Sequence, residues 1–82
     1  MDTASSPPFY VIVRVEDQEI VASAADADRA EAERLAAERE TGEEHQVLLA
    51  TQELAENFTD WAWQTTNIML DGTEVEMAII DR

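Results

Sequence analysis

The sequence contains no cysteine, which removes disulfides, thiol catalysis and thiolate metal sites together. Lysine is missing as well: arginine supplies all five basic residues, set against nineteen Asp and Glu, for a formal net charge of −14. Such a surface repels nucleic acid and anionic membranes and attracts basic surfaces. Histidine occurs once, at His45 beside Glu43 and Glu44, and a lone imidazole lacks the repeated spacing of a metal site. It would also have to serve as the only imidazole base for a nucleophile, and no serine stands in a nucleophile elbow. The two glycines, Gly42 and Gly72, are each accounted for by a turn and cannot build a phosphate cradle. Carboxylates are plentiful, but at this density close pairs arise by chance and mark no acid–base dyad. No apolar run approaches the roughly 20 residues of a membrane helix, and Met1 to Pro8 carries no basic-then-apolar leader, so a cytoplasmic location is expected. These absences point away from an enzyme, a metal and any cofactor.

What is present suffices for one folded unit. Eighty-two residues, 45% of them apolar, make a single small domain that buries about 60% of its unfolded surface. Residues 1–8 read as a flexible polar tail and 9–82 as the domain. Phe9 to Val15 alternates and is rich in β-branched residues, which predicts a strand. Glu16 to Glu19 reads as a polar turn and Ile20 to Ala24 as the returning strand, with Ile20 opposite Val15 and Ala22 opposite Val13. Ala27 to Glu40 is built of strong helix formers, capped by Asp26 and stopped by Gly42. Its thin apolar stripe is expected to run through Leu35, Ala32 and Ala36. His45 to Ala50 reads as a buried strand, and Thr51 to Asp60 as a helical turn led by Thr51 and then a loop. Asp71-Gly72 between two extended runs, Trp61 to Leu70 and Thr73 to Asp81, is a strong hairpin signal. A two-residue loop fixes Met69 opposite Glu74, Ile68 opposite Val75, Thr66 opposite Met77 and Trp63 opposite Ile80. Asn57-Phe58-Thr59 matches a glycosylation pattern but lacks a secretion signal to give it meaning.

The order β-β-α-β-β-β predicts an α+β two-layer sandwich: a mostly antiparallel sheet of about five strands with one main helix on one face. Both faces of the sheet would then carry large apolar groups, and one slender helix can cover only one of them. Assigning the helix to the more uniformly apolar side, that of Val11 and Val13, leaves Tyr10, Ile12, Val21, Trp61, Trp63 and Ile80 as an open aromatic-rich face bordered by Glu74 and Glu76. These would be the partner-binding residues, with the tryptophans as anchors. A cover supplied by residues 51–60 or by the tail is the structural alternative.

A partner protein with a basic surface follows from the charge, whereas direct binding of nucleic acid or membrane does not. The carboxylates between Asp26 and Glu44 fall at about the 3.4 Å spacing of phosphates along one DNA strand. Arg29, Arg34 and Arg39 interrupt them, which argues against the helix as a nucleic-acid mimic. In size and charge the chain resembles the small acidic proteins with which phages and mobile elements block host nucleases, although it shares no motif with them. That resemblance implies an inhibitor or adaptor. Other readings are a self-assembling accessory protein, homodimeric through the open sheet face, and an acidic domain of a salt-adapted organism.

Overall fold

The computed structural model describes residues 9–58 and 62–80. The tail 1–8, Thr59, Asp60, Trp61 and the last two residues lie outside them, so the expectations for the tail, for Trp61 and for Thr59 of the glycosylation triplet fall outside the described residues. The chain is an α+β fold: β1 (Phe9–Arg14), β2 (Glu19–Ala24), α1 (Ala27–Thr41), β3 (His45–Ala50), α2 (Gln52–Glu56), β4 (Trp63–Leu70) and β5 (Thr73–Ile80). The five strands form one sheet in the order β2-β1-β3-β5-β4. Three of its pairings are antiparallel and the fourth, β3 with β5, is parallel.

Local chemistry explains the elements. Asp26 sits in an extended conformation and its carboxylate accepts the Arg29 backbone N–H at 2.7 Å, satisfying one of the donors that a helix start leaves unpaired. At the other end Gly42 takes φ 74° and donates its N–H to the Glu38 carbonyl at 2.8 Å, a left-handed cap that costs glycine nothing. Asp71 and Gly72 both have positive φ, 52° and 77°, as a type I′ turn requires. The register of β4 against β5 is the one the loop length dictates, from Leu70↔Thr73 to Trp63↔Ile80.

The first hairpin departs from expectation. Val13 pairs with Ile20 and Ile12 with Ala22, with a register shift between them, rather than Val15 with Ile20 and Val13 with Ala22. The turn closes earlier because Gln18 adopts φ 59° and donates its N–H to the Arg14 carbonyl at 2.7 Å. Arg14 then holds the loop from above, bonding Asp17 at 2.7 and 3.0 Å and pairing also with Glu19. That loop should be acid-sensitive. The Arg14 hydrogen bond lowers the Asp17 carboxyl from 3.8 to about 2. A carboxyl depressed in the fold contributes stability above its unfolded pKa and loses it as pH falls through the folded one. The clamp is therefore expected to be whole above about pH 4 and half-lost near pH 2, a window that carboxyl NMR titration will show; Arg14→Gln should return Asp17 to the ordinary carboxylate range.

Each sheet face has its own cover. On one side, Ala30 of α1 packs on Ile12 and Ala24, with Tyr10, Ala22 and Val47 around them. On the other, Leu54 and Ala55 of α2 close over Val11, Val13, Ile20, Leu48, Ala50 and Ala78. The main helix thus lies on the side of Tyr10 and Ile12, the reverse of the assignment made from uniformity of apolar residues. It docks through alanine, so its backbone approaches the sheet closely. Leu35, the expected centre of its apolar stripe, is 46% exposed, and the buried contact is made by Ala30 instead. Helix α2 is the helical turn led by Thr51, whose hydroxyl accepts the Leu54 N–H at 3.2 Å. None of the described helices is long and apolar enough to cross a membrane.

Candidate protein-binding surface

The residues expected to form one open face do not share a face. β3 sets this: it pairs Phe9 with Ala50 on one flank and Ala50 with Ala78 on the other, so the Phe9 side of β1 continues into Ala78, Ile80 and Trp63. Tyr10 and Ile12 point to the opposite side. Ile12 is completely buried under α1 and Tyr10 is half-buried beside it. Trp63 and Ile80 are half-buried against the cluster that α2 closes. Of the residues of that expected face, Val21, Glu74 and Glu76 stand exposed, the two glutamates on the Trp63 side of the sheet. The assignment failed because alternation fixes parity within a strand, whereas the parity between two hairpins is set by how a third strand joins them.

Among the described residues, an open apolar surface lies at the far end of the β4–β5 hairpin. α1 packs on β1, β2 and β3, and α2 reaches β5 only near its end, where the Thr51 N–H donates to the Ala78 carbonyl. β5 pairs with β3 only at Leu49↔Met77 and Ala50↔Ala78, so the ribbon from Thr66 to Glu76 diverges from the body of the sheet. Ile68, Leu70, Val75 and Met77 line the ribbon on the α1 side, past the reach of that helix. Leu70 is 44% and Met69 69% exposed. The reverse side carries Glu74 and Glu76, and Asp71 stands at the tip.

Where β3 and β5 part, a cleft of about 340 Å³ opens between Val13, Gln46, Leu48, Trp63, Thr65 and Glu76. Its walls mix amides and one carboxylate with apolar groups. His45 takes no part in either feature: it is buried, its N–H donates to Glu38 at 2.8 Å and its Nδ1 lies 2.8 Å from the Glu43 carbonyl. It ties the end of α1 to the start of β3. Among the described residues no three His, Asp or Glu side chains gather closely enough to hold a metal ion.

The exposed ribbon was legible in part. The Asp71-Gly72 turn and the alternation around it place Ile68, Leu70, Val75 and Met77 on one side and Glu74 and Glu76 with Met69 on the other, but only the short β3–β5 joint shows that neither helix covers them. No family model, curated protein or solved structure matches this chain.

Proposed function

We propose that this protein is an acidic protein-binding module that inserts its β4–β5 hairpin into a basic groove of a partner, as an inhibitor or adaptor of a nucleic-acid-binding protein would. The observation that carries this reading is the ribbon that outruns both helices, apolar on one side and carrying Glu74 and Glu76 beside the exposed Met69 on the other. Large apolar groups left in water forgo roughly 1.5–3 kcal/mol each when fully exposed, which a small domain recovers by docking them. Ile68, Leu70 and Met77 supply the anchor, and Asp71, Glu74 and Glu76 meet Arg and Lys around it. The net charge of −14 steers the approach and makes binding sensitive to salt.

The test joins identification to displacement. A protein captured from the source organism's lysate should be basic, should be released by added salt, and should lose its nucleic acid to the module in a competition assay. Leu70→Asp with Glu74→Lys and Glu76→Lys, all at exposed positions, should weaken capture by at least about tenfold while the circular dichroism stays unchanged. Equal capture by this variant, or no competition at low salt, overturns the proposal.

A further inference from the structure

The two edges of the sheet are unlike. Exposed strand edges invite pairing with another chain, and proteins blunt them with charge, proline or a bulge. The β2 edge has two such guards, Glu19 at its start and the register shift opposite Ile12 and Val13. The β4 edge has none. Trp63 to Leu70 is eight residues without a charge, a proline or a glycine, in unbroken register with β5. In a chain where 29% of residues are charged, an edge strand this bare is a departure that solubility alone would not produce.

Because the hairpin loop has two residues, Leu70 and Thr73 form its closing hydrogen-bonded pair, and bonding alternates from there. Backbone groups of residues 64, 66, 68 and 70 face β5, and those of 63, 65, 67 and 69 face outward. We infer that the outward groups pair with the same groups of a second copy, antiparallel about a two-fold axis at Thr66, to make one ten-stranded sheet. Sheet faces are preserved only when paired residues share parity; axes at Thr66 and at Asn67 each bring seven residues of the strand into register, and the Thr66 axis alone pairs all four outward-facing residues. It sets Trp63 opposite Met69 of the second copy, a sulfur–aromatic contact, Thr65 opposite Asn67, Gln64 opposite Ile68, and Thr66 opposite itself.

Charge favours a copy of this chain over a basic segment as the occupant. A strand selected for positive charge would find no carboxylate along residues 63–70, whereas a second copy meets no like charge there. The nearest described carboxylates along the strands, on β5, would lie three strand spacings apart across the axis, about 14 Å, beyond the screening length of about 8 Å at physiological salt. The strip of contact, about 27 Å long and 10 Å deep, is small beside the 1,200 Å² or more of stable interfaces. The dimer is accordingly weak and concentration-dependent. Salt strengthens it by screening the two acidic bodies, the opposite of its effect on the basic partner, so the two readings fail separately.

Sedimentation equilibrium on the full chain, from micromolar to millimolar protein and at low and physiological salt, is the experiment. The mass should climb from 9.2 kDa toward twice that value, more readily with salt. Thr66 is exposed, so Thr66→Asp and Thr66→Lys should fold as the parent does; each alone places like charges across the axis and should weaken the dimer at least about tenfold. An equal mixture of the two should restore it as a heterodimer. A constant monomer mass, dimers indifferent to either variant, or a mixture that stays monomeric overturns the inference.

Discussion

Leu54→Ala is expected to cost about 2–5 kcal/mol of stability, a large fraction of the roughly 4–12 kcal/mol that a domain of this size holds. Leu54 is fully buried and is the one large side chain through which the five-residue helix α2 closes over Val11, Val13 and Leu48. A helix so short has no stability of its own, so the cavity cannot be refilled by sliding it. Loss of the leucine removes the reason for the helix to stay docked. The melting temperature should fall on the order of 15 °C, and hydrogen exchange at Leu54 and Ala55 should accelerate more than that of α1. A variant that melts with the parent would mean that α2 is not what covers this side of the sheet.

Ile12→Ala should be comparably severe, about 2–5 kcal/mol, for a reason on the other face. Ile12 is fully buried beneath Ala30. Alanine at the helix contact lets the backbone approach but is too short to fill a void, and the larger neighbours, Tyr10 and Val47, flank Ile12 on the sheet. The two clusters are separated by the sheet itself, so effects on them should add. Combining Leu54→Ala with the milder Ile12→Val, worth about 1 kcal/mol, should give the sum of the single effects within about 0.5 kcal/mol in urea unfolding. A coupling much larger than that would contradict two independently covered faces. Full exposure of an aromatic sheet face would predict the reverse for Ile12, with no loss of stability and a loss of binding.

How far the sequence could be read follows from which signals are local. The caps Asp26 and Gly42, the positive-φ pair Asp71-Gly72 and the register of the C-terminal hairpin each depend on a handful of adjacent residues, and each is where the residues place it. Thr51 as the start of a helical turn belongs with them. The parity error at Tyr10 and Ile12 has another origin: β3 joins β1 antiparallel and β5 parallel, and nothing within either hairpin encodes that choice. Leu35 misled for a similar reason. The most apolar residue of α1 marks the buried stripe only when the helix must fill volume; here it must come close, and Ala30 serves better. Trp63 drew attention as an aromatic in an alternating run, yet its partners are Ile80 across the ladder and the cluster beneath α2. An exposed edge without charge, by contrast, can be seen only once the strand order makes β4 the last strand of the sheet.

The short parallel joint has a mechanical meaning. Among the described residues, the hairpin that carries the open surface is joined to the rest of the molecule where Leu49–Ala50 pair with Met77–Ala78, by the bond from Thr51 to Ala78, and by the packing of Ala78, Ile80 and Trp63 in the cluster that α2 closes. A force on the tip therefore enters the body at the base of the ribbon, through the cluster that α2 closes.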